Sequence, residues 1–340
     1  MMLRKIQTQN KQSCDGVALI FAITLLLIFS ILGASYITYM TIEVQDANFG
    51  VHKTRARMLA QAGVNAALST LSDAIEAGEV QGVLGVTNTL QLPTYDLQQS
   101  GSQSIELTQL ENRTAKVDIT ITDESGKVNL NHAPASVLKE ILGIDGAKAR
   151  AITASLPHDK EGAWFVGVED LLQRGLLSPE KYATIDTSLV TTYTVIDHDS
   201  PSAWLNINTA PTEVMAAILG ISVADAEQVR IKKPFSDLAA IAVAAGKDPA
   251  TFNVKPNPAN PEALPIDLAL ESNCFRIQVS ATYGPTEESK TFPATTAQLE
   301  VVVLFDGADN YEIVHWQPLG KTMAQANLQQ ESGAHAPEKV

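Results

Sequence analysis

From Gly16 through Ile42 the chain carries no charged side chain, a run of 27 residues. Roughly 20 apolar residues are enough for a helix to cross the hydrocarbon of a bilayer. The run therefore predicts a membrane-spanning helix near the N-terminus. Arg4, Lys5 and Lys11 precede it, and Glu43 and Asp46 follow it at once. That distribution favours a cytoplasmic N-terminus, although Lys53, Arg55 and Arg57 lie further out on the other side. A cleaved secretory signal would have a shorter apolar core and a cut after small residues, for which "LGAS" from Leu32 is a mediocre match. A plain anchor needs nothing beyond the span itself.

Past the span the apolar positions become periodic. Val64, Leu68, Leu71 and Ile75 fall on one helical stripe, flanked by Ala60 and Ala67, and Gly78 offers a stop. One helix is expected to run to about Ala77, with an amphipathic second half that requires a partner layer. Residues 79–103, rich in Gly, Thr, Gln and Ser, read as loop. "AKVDITIT" then alternates Val117, Ile119 and Ile121 against Lys116, Asp118 and Thr120, the pattern of a half-buried strand. The same alternation returns in "CFRIQVSATY", "AQLEVVVLF" and "YEIVHW". These segments predict an antiparallel sheet with one face on the helix. Residues 123–273 then read as a mainly helical insertion, returned to the sheet through the proline-rich "KPNPANPEALP", and the polar tail after about Met323 reads as disordered.

The insertion contains an internal repeat. "NLNHAPASVLKEILGI" from Asn129 and "NINTAPTEVMAAILGI" from Asn206 agree at nine of sixteen positions. Pro134 and Pro211 suit the first turn of a helix, and Asn131 and Asn208, with Asn129 and Asn206 just before them, can supply amide oxygens to free backbone donors there. Gly143 and Gly220 permit the left-handed turn that ends it. Each copy predicts helix, tight turn, helix. Such a unit resembles the helix-hairpin-helix of DNA-binding proteins, and copy one adds Gly146, Lys148 and Arg150. That motif needs hairpin N–H groups aimed at phosphate with cations behind them. Copy one instead places Asp145 in the turn, copy two lacks the second glycine and adds Asp225 and Glu227, and the chain as a whole carries a formal charge of −14. Nucleic acid is a disfavoured partner, and a structural role for the repeat is favoured.

No nucleophile elbow, HExxH or phosphate loop occurs. Two cysteines, Cys14 and Cys274, exclude a disulfide scaffold. His132, His158, His198 and His315 are scattered, and Trp164, Phe165, Leu171 and Leu172 read as core. Calcium is the one metal with candidate oxygen ligands, in "DHDS" from Asp197 and at Asp306 and Asp309 of "DGADN", though turn chemistry explains both stretches. No cofactor is otherwise expected.

The short basic leader that ends at Gly16 and passes without a gap into apolar residues resembles a type IV prepilin leader. That resemblance implies cleavage after Gly16, a mature N-terminus at Val17 open to methylation, and a leader of residues 1–16. In most pilins the fifth mature residue is Glu; here it is Phe21, as in the K-type minor pseudopilins of type II secretion systems. "VDITITDESGKVNLNHAP", the two repeats, "SNCFRIQVSA" and closing strands that end in Trp316 are similar to that family in their order. The resemblance covers Gly16 to about Pro318. It implies an α+β, pilin-like fold: a transmembrane helix over 17–42, its periplasmic half with a loop and first strand over 43–122, the inserted domain over 123–273, closing strands over 274–318 and a tail over 319–340. It further implies a non-enzymatic subunit of the inner membrane. Its expected partners are I- and J-type minor pseudopilins, the pseudopilus and the secretion platform, and its expected role is to start or cap the pseudopilus. The competing reading is a membrane-anchored DNA-uptake or type IV pilus protein that uses the two hairpins.

Overall fold

The structure is a computed structural model that describes residues 15–80, 89–96, 113–156, 164–193, 204–253, 264–285 and 294–319. The leader before Asp15, the "DHDS" stretch, His158, His198, most of the proline-rich link and the tail after Leu319 lie outside the described residues.

Helix α1 runs unbroken over Asp15–Glu76, about 93 Å at the usual rise per residue. Its first half is long and apolar enough to cross a membrane and is exposed, with no cover among the described residues. Its second half buries Ala60, Val64, Ala67, Leu68 and Leu71. Small residues let this half approach its partner closely. A Cβ on Gly63 would stand 2.7 Å from Val279 Cγ1 and 3.0 Å from Val117 Cγ1, so helix and sheet meet there almost backbone to side chain.

The partner is an antiparallel sheet of five strands in the order β1 (Thr89–Asp96), β2 (Arg113–Asp123), β7 (Cys274–Pro285), β8 (Thr295–Phe305) and β9 (Tyr311–Leu319). α1 lies on β2, β7 and β8. Val117, Ile119, Ile121, Phe275, Ile277, Val279, Val301 and Val303 meet it in one core. β1 falls inside the stretch that composition marks as loop. It pairs with β2 from Thr89↔Thr122 to Asp96↔Lys116 and slips register between Leu92 and Tyr95, around Pro93. An edge strand tolerates a proline and a bulge that a central strand does not, and its order comes from pairing with β2 rather than from its own composition.

Strands β2 and β7 are direct neighbours, Asp123 opposite Phe275. The chain between them leaves and rejoins the sheet at a single end. Arg55, close to the apolar half of α1, hydrogen-bonds Tyr283 at one end of the sheet, whereas Ser72 Oγ donates to the Ala308 carbonyl at the other, 2.8 Å away. Asp123 and Cys274 are at the Ser72 end, because Cys274 pairs with Leu304 and Phe305 N–H bonds to the Asn273 carbonyl. The inserted domain therefore springs from the end of the sheet away from the apolar half of α1.

That domain holds seven short α-helices among the described residues: α2 (Ala135–Leu142), α3 (Gly146–Ala154), α4 (Asp170–Gln173), α5 (Pro179–Tyr182), α6 (Thr212–Leu219), α7 (Val223–Arg230) and α8 (Leu238–Ala244). Two parallel strand pairs accompany them, β3 (Val128–Asn129) with β4 (Val190–Thr191), and β5 (Trp204–Asn206) with β6 (Asp267–Ala269). Both repeats share one core, in which Leu138 and Leu142 of copy one join Met215 and Leu219 of copy two as α2 packs on α6.

Candidate functional site

The two repeats build the same lock. In copy one the Asn129 side-chain oxygen accepts the Asn131 N–H at 2.9 Å, turning the backbone back on itself. Asn131 then grips a distant segment: its Oδ1 accepts from Phe165 N at 2.8 Å, and its Nδ2 donates to the carbonyls of Phe165 at 3.0 Å and Thr192 at 3.4 Å. Copy two repeats every contact. Asn206 Oδ1 accepts from Asn208 N at 2.9 Å; Asn208 Oδ1 accepts from Phe235 N at 2.7 Å; Asn208 Nδ2 donates to the Phe235 and Leu270 carbonyls at 3.0 and 3.2 Å. The backbone after each lock also bonds alike, Leu130 N to the Thr191 carbonyl and Ile207 N to the Ala269 carbonyl.

These contacts correct the capping role read from the sequence. Asn131 and Asn208 do not cap α2 and α6. Pro134 and Pro211 occupy the N-cap positions, with no side-chain cap, and accept helical bonds through their carbonyls. The asparagines are buried three residues earlier, where an amide can satisfy a donor and an acceptor of another segment at once. Gly143 and Gly220 take left-handed conformations with φ of 57° and 61° and end their helices. Phe165 and Phe235 are the residues that sequence reasoning missed as lock partners. Trp164 and Leu172 are only half-buried; Leu171 and Phe165 are core. Trp164 instead stacks on His132, ring centres 5.2 Å apart, and burial of His132 lowers its pKa.

The hairpins close on themselves rather than on an anion. In copy one Asp145 caps α3, its Oδ1 accepting from Ala147 N and Lys148 N at 3.0 and 2.8 Å. Those donors hold a carboxylate where a phosphate would have to sit. In copy two Ser222 accepts from Asp225 N at 3.1 Å and donates to Asp225 Oδ2 at 2.7 Å.

Where the inserted domain meets the sheet, a second cluster forms from "DESGK" at Asp123–Lys127. Asp123 is buried and accepts from Ser125 N at 2.7 Å and from Ser272 Oγ at 2.5 Å; Ser272 Oγ in turn accepts from Asn206 Nδ2 at 2.6 Å. The second lock is thus wired to the last residue of β2. Burial raises the pKa of Asp123 against the pull of these hydrogen bonds. Its neighbour Glu124 has a fully buried side chain. Burial works against its charge too, yet Lys127 at 2.5 Å and Arg276 at 2.8 Å together outweigh it and hold Glu124 below the ordinary carboxylate range. Arg276 continues the ladder to Glu300, which also accepts from Gln278 at 2.8 Å, and lies over the Tyr193 ring. Tyr193 meets His315 of β9 at 5.4 Å. Cys274 is buried in the same joint, and its thiol pKa is pushed well up by burial and by Glu124 and Asp123.

Gly126 lets the joint close. A Cβ there would stand 2.7 Å from the Thr209 carbonyl carbon and 2.8 Å from its oxygen. Neither atom can move without disturbing the second lock, so Gly126→Ala is expected to cost about 1–3 kcal/mol as overpacking. Urea denaturation of the detergent-solubilised chain, followed by tryptophan fluorescence, measures it; a loss under about 0.5 kcal/mol, within the range of ordinary surface changes, would mean that the joint is looser than drawn.

Asp306 and Asp309 lie in the turn between β8 and β9, where Asp306 N–H bonds to the Asn310 carbonyl at 2.8 Å. Among the described residues no group of three or more His, Cys, Asp or Glu side chains could hold a metal.

The arrangement is that of a helix-on-sheet protein whose N-terminal helix is long and apolar enough to cross a membrane, carrying an internally duplicated helical domain at the end of the sheet away from that apolar half. No protein-family model matches the chain, and no curated protein matches it. Among solved structures, it is similar to a chain in the crystal structure of the GspK-GspI-GspJ complex from the type 2 secretion system of enterotoxigenic Escherichia coli. The similarity covers 79% of this chain and 99% of that one, at 15% identity and a TM-score of 0.46.

Proposed function

We propose that this chain is a minor pseudopilin of a type II secretion system. It is held in the bacterial inner membrane by residues 17–42, with the bulk of the chain in the periplasm. It joins I- and J-type minor pseudopilins to start or cap the pseudopilus on the secretion platform, and its role is assembly, not catalysis. The observation that carries this reading is positional: one helix supplies both the bare apolar span and the cover of the sheet, and the large insertion rises from the membrane-distal end. A body placed there obstructs any subunit that would add above it. Phe21, at the position where a buried Glu would meet the terminal amine of a neighbour, suits a subunit with no predecessor. The self-capped hairpins speak against the DNA-uptake alternative.

Processing tests the class. Intact-mass analysis of the protein from membranes that contain a prepilin peptidase is expected to show loss of residues 1–16, with or without a methyl group on Val17, and the full chain where the peptidase is absent. An unprocessed chain in both membranes would overturn the reading. Capping is tested separately by labelling pseudopili with an antibody to the inserted domain: label along the shaft, instead of at one end, would overturn it.

A further inference from the structure

The sequence places the last strand with its sisters on the helix; among the described residues, the structure leaves the helix-facing side of that strand exposed. β9 continues the helix-facing side of the sheet, since Val301, Val303 and Phe305, all buried under α1, pair with Trp316, Ile313 and Tyr311. Directly opposed residues of antiparallel strands share a face. Yet Tyr311 is 46% exposed, Ile313 41% and Trp316 45%, while α1 packs on β2, β7 and β8. The opposite face of β9 carries Glu312, His315 and Gln317, with Leu319 at its end, so the strand is amphipathic over most of its length, and among the described residues its apolar side lacks a cover.

We infer that the helix-facing side of β9 receives the periplasmic half of the N-terminal helix of a second pilin-like subunit, laid beside α1. The inference rests on the assembly role proposed above. Three observations select a helix as the occupant. First, the bare row continues the surface that α1 already covers, and helices pack side by side at 8–10 Å, the width needed to reach the next strand and a little beyond. Secondly, addition of another strand to the sheet edge is obstructed. β9 slips register between its partners Val302 and Val303, which leaves Val314 as a bulge, and Pro318 lacks a donor; both features blunt an edge. Strand addition would also leave the apolar face uncovered. Thirdly, the row is too small to hold a partner alone. Half-exposed Tyr and Trp side chains of ~150–250 Å² each give on the order of 200 Å², whereas a stable interface takes roughly 800 Å² from each partner. The occupant must extend along the flank of α1, which runs beside the β8–β9 turn at Ser72. A long helix does so; a compact ligand does not.

The test is photo-crosslinking in the native membrane, using the full chain with benzoylphenylalanine at Ile313 or Trp316 and, as the control face, at Gln317. The expected result is an adduct from the first two positions whose peptide maps to the N-terminal helix of a second pilin-like protein, just beyond its membrane span. Ile313→Glu, in a full chain probed at Trp316, is expected to reduce that adduct about tenfold or more, as loss of a central apolar anchor does, while resistance of the inserted domain to protease stays unchanged. An adduct to residues 320–340 of the same chain, to a second copy of this chain, or to a strand of the partner would overturn the inference. So would a yield no higher than at Gln317. If Val17 is not exposed by the peptidase, the assembly reading fails; if it is and no helix adduct forms, only the docking surface fails.

Discussion

Arg276→Met is expected to destabilise the chain by about 3–5 kcal/mol, the usual cost of removing one partner from a buried ion pair. Arg276 stands between two carboxylates that have no comparable access to water: Glu124, whose side chain is fully buried, and Glu300, 12% exposed. Among the described residues, its loss leaves Lys127 alone to face Glu124, whose Oε2 already lacks a hydrogen-bond partner, and leaves Glu300 with Gln278 only. Replacing Glu124, Lys127, Arg276 and Glu300 together by apolar residues of similar volume is expected to restore much of the loss, because the penalty lies in the orphaned charges rather than in the missing attraction. Urea midpoints of the single and quadruple variants in detergent decide this; equal losses in both would show that packing, not charge, holds the joint.

The same cluster has a signature in acid. The folded pKa of Glu124 is below its ordinary 4.5, so its contribution to stability is complete above that value and is lost as pH falls through the folded pKa. Asp123 runs the other way: its folded pKa is raised, and protonation relieves a burial cost that is present at neutral pH. Glu124→Gln should therefore flatten the loss of stability below about pH 4.5 and not add to it. Asp123→Asn should remove the opposing gain and make the acid loss steeper. Denaturation midpoints at pH 7 and at several values below 4.5 check both signs.

How much of this could be read from the amino acids depends on where each residue finds its partner. α1 is legible because its length and periodicity are local properties: an uncharged run, then a stripe at Val64, Leu68, Leu71 and Ile75 that the sheet covers. The alternation in β2, β7 and β8 is legible for the same reason. β1 is not, because its order is borrowed from β2 and its own composition is that of a loop. The repeat shows itself through nine identities, but the work of its asparagines does not. Their partners, Phe165 and Phe235, are 34 and 27 residues away, and nothing in "AWFVG" or "KPFSD" resembles a hydrogen-bonding motif. "DESGK" hides for a related reason. Three charges and a glycine look like a solvated turn until the insertion folds back over them, and only then do Asp123 and Glu124 become interior groups that require Ser272, Lys127 and Arg276. The bare row on β9 is also invisible in one dimension, since its alternation matches that of covered strands.

The locks themselves give the second large effect. Asn208→Leu keeps the approximate volume but removes the acceptor for Phe235 N–H and the donor for the Phe235 and Leu270 carbonyls. Each buried backbone group left without a partner costs about 1–3 kcal/mol, and water entering the site offsets part of that, so a loss of about 3 kcal/mol is expected. Asn131→Leu removes the corresponding bonds to Phe165 and Thr192, but its third bond is already long at 3.4 Å, so its loss should be somewhat smaller. The two variants also differ in reach. Asn208 follows Asn206, which is wired through Ser272 to Asp123 and so to the end of β2, whereas the Asn131 lock closes within the inserted domain. Hydrogen exchange should therefore show Asn208→Leu loosening the Asp123–Cys274 joint as well as copy two, and Asn131→Leu loosening copy one with the joint still protected. Equal deprotection of the joint by both variants would mean that the inserted domain unfolds as one cooperative unit through its shared core, and that the asparagines act as interchangeable pins and not as two separate links in a chain from hairpin to sheet.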